Sequence, residues 1–348
     1  MPADKATAPE KSSSRKRMQM ADIARMAGVS TSTVSRALNG SPLIPEATRA
    51  RITELARSLN YTVNVGAANL RKRDVQTVAL VHLGDSMQRM SDPFLLSMVG
   101  QVADALESRG MNLLLTRLND DRIDQIPAMV LGGQVAGLIV IGQLRWHEYL
   151  NDLARQGIPL AVWGAVLPDA VYSVVGSDNV LGGYLATKHL LEQGARSIAF
   201  VGDTHYPEGQ LRHQGYLKAL REAGLKADPL LFHPMLFGEE GTREAVGRWI
   251  DSGHAFDAVF AGSDISAFNV MAALASRGLD VPRQIRVVGY DDIPWAQHVH
   301  PSLSTVRQPT DQAGQALVDL LLEAMQDEPH RSVVLETRLV VRESSVSV

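Results

Sequence analysis

The chain has 348 residues, 45% hydrophobic and 21% charged with only 5% aromatic, a globular composition in a chain too long for one average domain. Its formal net charge of -4 conceals a polarity: residues 1–74 hold 13 Lys and Arg against 6 Asp and Glu, a net of about +7, so the remainder carries about -11. The absence of cysteine excludes a disulfide framework, Cys-ligated zinc and iron–sulfur clusters, and no run of about 18 apolar residues offers a membrane span.

Residues 1–17 are rich in Ser, Ala, Pro, Lys and Arg and read as a disordered basic tail. They lack the apolar run of a secretory signal, which predicts a cytoplasmic protein. From Met20 to Ala27, through Gly28-Val29-Ser30, to Thr31–Leu38, the spacing of Ile23, Ala24, Ala27, Val34 and Leu38 predicts two short helices that cross at Gly28 and share one buried face. That is a helix-turn-helix. Ser30 suits the N-cap of the second helix and leaves Thr31, Ser32 and Arg36 projecting outward. A helix lying in a major groove needs small hydrogen-bonding residues, here Thr31, Ser32, Thr33 and Ser35, and an arginine, here Arg36, that reaches a guanine edge or a phosphate. A generic small bundle is the competing reading. After the turn signal Asn39-Gly40-Ser41-Pro42, a third helix is predicted from about Glu46 to Asn60, with Ile52, Leu55, Ala56 and Leu59 on one stripe.

The segments Ala21-Asp-Ile-Ala-Arg-Met-Ala-Gly-Val-Ser30, Thr33-Val-Ser-Arg-Ala-Leu-Asn39 and Leu59-Asn-Tyr61 resemble the head of the lactose/galactose repressor family. The likeness continues through Asn64-Val-Gly-Ala-Ala-Asn-Leu70, similar to that family's hinge helix, to about Arg342. It implies a helix-turn-helix head over 18–62, a hinge over 63–74 and an effector-binding and dimerisation body over 75–348. It also implies that Asn39, Asn64 and Ala67 join the head's DNA-facing residues. Leu70 matches a leucine that wedges a base step open in the minor groove, and interdomain packing is its alternative. Gln19 and Pro45 stand where Ser or Thr usually caps a helix, Val63 replaces a common proline and Ala68 a common arginine. These departures predict operator binding that is weaker or more sensitive to salt.

From Thr77 onward, apolar runs at Val78–Leu83, Asn112–Thr116, Gly137–Ile141, Leu160–Trp163, Ser197–Val201, Asp257–Ala261 and Ile285–Gly289 alternate with helical patterns at Pro93–Arg109, Leu181–Gln193, Gly209–Ala223 and Ile265–Arg277. Such alternation predicts parallel sheets with helices on both faces, in too many units for one sheet. The expected body is therefore two α/β lobes with a cleft. The resemblance, to periplasmic binding proteins as much as to the repressors, implies three crossing strands, with a first lobe over about 75–176 and 307–331 and a second over about 177–306 and 332–342. Ligands in such folds lie beyond the carboxyl ends of the strands.

Asp291, directly after an apolar strand in Val287-Val-Gly-Tyr-Asp-Asp292, suits two adjacent hydroxyls of a polyol; a turn aspartate is the alternative, which fits Asp292 better. The resemblance places Arg212 in the cleft, where its planar fork suits a ring hydroxyl or carboxylate, with a solvated helix arginine as alternative. The resemblance also implies Phe94, Leu236 or Phe237, Ser263 and Gln308 as further effector candidates, each competing with ordinary packing. His82 reads as a satisfied core histidine.

No Walker loop, nucleophile elbow, metal-spaced histidines or paired cleft carboxylates are evident, so no catalytic residue, metal or cofactor is expected. Gly182-Gly183 opens a helix without a phosphate-binding fingerprint. The expected function is an allosteric transcriptional repressor of a catabolic operon. Its expected partners are a pseudo-palindromic double-stranded operator, a carbohydrate or glycoside effector and a second copy of the chain. The missing heptad tail after Val341 favours a dimer over a tetramer. A purine- or nucleoside-responsive co-repressed regulator and a sugar receptor without DNA activity are the alternatives.

Overall fold

The structure is a computed structural model that describes residues 20–38, 41–59, 75–83, 90–118, 122–234 and 239–346. The chain divides into two compact units, Met1–Asp74 and Val75–Val348. The hinge expected over 63–74 lies outside the described residues, as do Asn39, Asn64, Ala67, Leu70, Leu236 and Phe237.

The head consists of α1 (Met20–Ala27), α2 (Thr31–Leu38) and α3 (Glu46–Ser58). Ile23, Ala24, Ala27, Val34, Ala37, Ile44 and Ile52 form its core, with Leu38, Leu55 and Leu59 packed at the edge. Gly28, at φ +66, ends α1 in the left-handed region that a side chain would strain. Ser30 caps α2 as expected, its Oγ accepting from the Thr33 amide at 3.1 Å. Pro45 precedes α3 and offers no side-chain cap. Arg51 compensates in part by tying α3 to the end of α1, its Nη2 donating to the Ala27 carbonyl at 2.9 Å.

The body begins with β1 (Thr77–Leu83), α4 (Pro93–Glu107), β2 (Asn112–Leu118), α5 (Gln125–Leu131), β3 (Gly137–Ile141), α6 (His147–Arg155), β4 (Leu160–Trp163) and β5 (Ser173–Ser177). It continues with α7 (Asn179–Glu192), β6 (Ile198–Val201), α8 (Pro207–Glu222), β7 (Phe232–His233), α9 (Glu239–Asp251), β8 (Ala258–Ala261), α10 (Asp264–Ser276) and β9 (Arg286–Asp291). The last elements are β10 (Ser304–Arg307), α11 (Thr310–Ala324), β11 (Ser332–Leu335) and β12 (Arg338–Val340).

Two six-stranded sheets result, ordered β11-β5-β4-β3-β1-β2 and β12-β10-β9-β8-β6-β7. Among the described residues, every pairing is parallel except β10 with β12. Near-continuous apolar strands suit this arrangement because both faces are covered. Val78 and Leu80 enter one core cluster with α4 and α11, whereas Ala79 and Val81 enter another with α5 and α6. In the second sheet, Ala199 and Val201 face one cluster and Ile198 and Phe200 the other.

The chain changes sheet after β5, after β10 and after β11. The last crossing corrects the boundary at 332: β11 pairs with β5 in the first sheet, and only β12 joins the second. Val333 and Leu335 alternate into the first lobe's core, which holds this strand there. Among the described residues, no helix is long and apolar enough to cross a membrane.

Candidate functional site

On the head, the described residues expected to face DNA, Thr31, Ser32, Thr33, Ser35 and Arg36, occupy one helix. Thr31, Ser32 and Arg36 are exposed, and Thr33 and Ser35 are half-buried. The Ser30 hydroxyl lies 2.8 Å from Ser32 Oγ and 2.9 Å from Thr33 Oγ1, so one capping residue orders the first turn of the outward-facing helix. Placing hydroxyls at the N-terminal half of α2, with Arg36 one turn further on, gives the surface a major groove requires.

In the body, a cavity of about 320 Å³ is lined by Phe94 and Ser97 of α4, by Asp291, Asp292 and Pro294 after β9, and by Arg307, Gln308 and Thr310 at a lobe crossing. Three of the effector candidates, Phe94, Asp291 and Gln308, therefore meet at one space. Asp291 lies at the carboxyl end of β9 with φ 119 and is followed by Asp292 at φ 57. Two successive non-glycine residues in the left-handed half of conformational space store strain, and strain of this kind concentrates at ligand sites. The strain is held in place by a network. Asp291 Oδ1 accepts from Gln308 Nε2 at 2.7 Å, and Gln308 Oε1 accepts from the Ser177 hydroxyl at 2.8 Å. One glutamine thus joins two of the three crossings to the cavity carboxylate.

Asp292 has a different role, pairing with Arg342 Nη2 at 2.7 Å and so fastening the turn to the C-terminal segment. Beneath both lies Asp264, fully buried at the start of α10, which accepts from the Thr305 hydroxyl at 2.5 Å and the Ile293 amide at 2.9 Å. Gly289 makes room for it, since a Cβ there would meet Asp264 Oδ1 at 2.4 Å. Burial, reinforced by the neighbouring Asp291, pushes Asp264 well above the ordinary carboxylate range. Burial lifts Asp291 to about 7, opposed by Arg212 and Gln308 and assisted by Asp92. The sequence showed no such cluster because these carboxylates are far apart in the chain or sit at helix starts.

Arg212 does not line the cavity but is fixed beside it. Its Nε donates to Asn179 Oδ1 at 2.9 Å, its Nη1 to the Gly262 carbonyl at 2.6 Å, and the guanidinium lies 3.7 Å from the centroid of the Tyr290 ring. Asn179 and Tyr290 were not anticipated, although Tyr290 stands within the strand motif that marked Asp291. Ser263 is a helix cap: its Oγ accepts from the Ser266 amide at 3.2 Å. Phe94 packs on Trp163 at 6.0 Å between ring centroids, and Asp92 caps its helix. His82 is buried in β1. Gly182 and Gly183 serve packing: a Cβ would meet the Tyr290 hydroxyl at 2.4 Å and the Arg212 carbonyl at 2.0 Å respectively. His147, Glu148 and Asp169 bring ligand atoms within 4.8 Å of one another at the surface, where His147 also bonds Tyr172.

Residues 19–64 match the family described as bacterial regulatory proteins, lacI family, and residues 187–345 match the periplasmic binding protein-like domain. The HTH-type transcriptional regulator CelR of Thermobifida fusca is 34% identical over 95% of this chain and 99% of its own. The ribose operon repressor of Haemophilus influenzae is 32% identical over 94% of this chain and 99% of its own. Among solved structures, a CelR–cellobiose complex has a TM-score of 0.70 at 31% identity, covering 94% of this chain and all of that one. The lac repressor dimer bound to operator has a TM-score of 0.80 at 22% identity over 95% of this chain and all of that one, which establishes the shared fold. An outward-facing, hydroxyl-bearing helix on a three-helix head, a cleft between two doubly wound lobes, and full-length similarity to regulators agree: the chain belongs to the lacI family and is a DNA-binding transcriptional regulator with an effector site.

Proposed function

We propose that this chain represses a catabolic operon as a cytoplasmic homodimer on a pseudo-palindromic operator, under control of a carbohydrate or glycoside bound beside Asp291. The observation that carries this reading is the Asp291 carboxylate at the cavity wall, set on strained backbone and held by Gln308 from a lobe crossing. A carboxylate with two oxygens accepts from adjacent hydroxyls, and a cavity of about 320 Å³ falls within the range for small ligands. CelR, whose solved complex contains cellobiose, supports a sugar. Thr31, Ser32, Thr33, Ser35, Arg36, Asn39, Asn64, Ala67 and Leu70 are the proposed DNA-facing set. Phe94, Arg212, Leu236, Phe237, Ser263, Asp291 and Gln308 are the proposed effector set, with Ser263 acting through the Gly262 carbonyl that holds Arg212.

Catalysis is not part of the proposal. Glycoside hydrolysis needs a second carboxylate facing the same bond, whereas Asp292 is committed to Arg342 and Asp264 is sealed beneath the cavity by Thr305 and Ile293. A thermal-shift panel of cellobiose, galactose, ribose, a sugar phosphate, a nucleoside and a purine tests the effector class. The expected result is a higher melting temperature with a sugar in wild type and none in Asp291→Asn. A shift with a purine alone favours the co-repressed reading.

A further inference from the structure

We infer that Glu208, seated over Gly164, is an interlobe latch that holds the cleft closed and reports to it the position of Arg212 on the same helix. The inference rests on the proposed effector role only for that second clause; the latch stands on contacts within the body.

The receiving half lies in the first lobe. Gln143, fully buried after β3, stitches its own loop to the loop after β4: its Nε2 donates to the Ala165 carbonyl at 2.6 Å, and its Oε1 accepts from the Ala165 amide at 2.9 Å. The same Nε2 donates to the Tyr172 hydroxyl at 3.0 Å. That hydroxyl lies 2.6 Å from His147 Nδ1, whose Nε2 is 3.1 Å from Asp169 Oδ1. Two loops that would otherwise move separately are thereby joined, and a buried polar network satisfied in this way is rigid.

Between them stands Gly164. A Cβ there would fall 2.8 Å from Gln143 Oε1 and 3.0 Å from Glu208 Oε1. The Glu208 carboxylate, from the first turn of α8 in the second lobe, therefore occupies the notch that the absent side chain leaves. Burial pushes the Glu208 carboxyl above its ordinary range, opposed by its own backbone amide, by Arg212 and by the backbone amides of Gln143 and Ala165. Glu208 and Arg212 are four residues apart on one helix and share a face. Arg212 is in turn fixed to Asn179, Gly262 and the Tyr290 ring. A ligand that draws Arg212 toward the cavity must shift or tilt α8, and Glu208 moves with it. The sequence concealed this contact because a glutamate at a helix start reads as ordinary macrodipole complementarity.

The test uses the intact chain without any sugar, comparing wild type with Glu208→Ala, Glu208→Gln and Gly164→Ala by amide hydrogen exchange and small-angle X-ray scattering. Glu208→Ala is expected to speed exchange at least tenfold in peptides spanning 142–146 and 163–166, and to enlarge the radius of gyration, while exchange in β1, β3 and β6 stays at the wild-type rate. Gly164→Ala, which attacks the contact from the other lobe, is expected to give the same local pattern, and Glu208→Gln a smaller one. Unchanged exchange and radius in both alanine variants would overturn the latch, and so would uniform acceleration across the body. The melting shift that a sugar produces in wild type and not in Asp291→Asn tests the effector reading separately, since it survives if only the latch is wrong.

Discussion

Asp291 concentrates the chemistry of the body. Burial lifts it to about 7 from an ordinary 3.8, so the folded chain binds this proton more tightly than the unfolded chain does. Its contribution to stability is full below about pH 4 and is lost as pH rises through about 7. The groups facing it are Arg212 from α8, Asp92 before α4, Gln308 from the crossing and the backbone amide of Asp264 from α10; of these Asp92 raises it, and Arg212, Gln308 and the Asp264 amide lower it. Asp291→Asn should therefore melt higher than wild type at pH 8, with the gap closing toward pH 5. Parallel melting curves for the two proteins across that range would contradict the assignment. Ligand hydroxyls donate to the ionised form, so sugar affinity in wild type should increase as pH rises through about 7, as measured by calorimetric titration in buffers of matched ionic strength.

At the scale of elements, one close approach, one small core and one exposed helix face carry the predictions. Gly183 lets α7 and α8 pass with backbone contact: a Cβ would lie 2.0 Å from the Arg212 carbonyl. Gly183→Ala should cost roughly 1–3 kcal/mol or more by overpacking and should weaken sugar binding, because the helix that must move carries Arg212. Denaturant unfolding alongside sugar titration checks both effects. In the head, Ile52 is fully buried, and Ile52→Ala should remove roughly 2–5 kcal/mol. Three short helices have little to spare, so operator binding should fail while the body's melting transition stays in place. On the exposed face of α2, Arg36→Ala should weaken operator binding by about 1–3 kcal/mol, and the dependence of affinity on base sequence distinguishes base contact from phosphate contact.

Much of this architecture was legible because it follows from periodicity. The strands Gly137–Ile141 and Leu160–Trp163 coincide with their apolar runs, since a parallel strand covered on both faces must be continuously apolar. Ile23, Val34 and Ile52 mark the head because helical spacing around Gly28 has few other solutions. β11 misled because four residues with partial exposure carry no sign of which sheet they complete. Asp291 was visible directly after its strand, but Asp264, Asn179 and Glu208 were not. Each looks like a helix-start residue in sequence and acquires its role only from what the other lobe, or another strand, brings against it.

For the molecule as a whole, a basic head and an acidic body divide the work of reading DNA and sensing a metabolite. Coupling between them is a free energy shared by two binding events, and it acts equally in both directions. The body offers a physical means: its sheets are joined by three crossings, two of which meet at Gln308 and Asp291, so a ligand at Asp291 acts on residues that link the two lobes. The direction of the effect depends on which closure state fits the operator-bound arrangement better.

The most direct measurement takes the sugar identified by thermal shift and a duplex selected from a random pool at moderate salt. It determines the sugar's affinity with and without saturating operator, and the operator's affinity with and without saturating sugar. The two ratios should differ from one and be equal, and both should collapse to one in Asp291→Asn. Sugar affinity that is the same on and off the operator, in a chain that binds both, would contradict control of the head by the cleft.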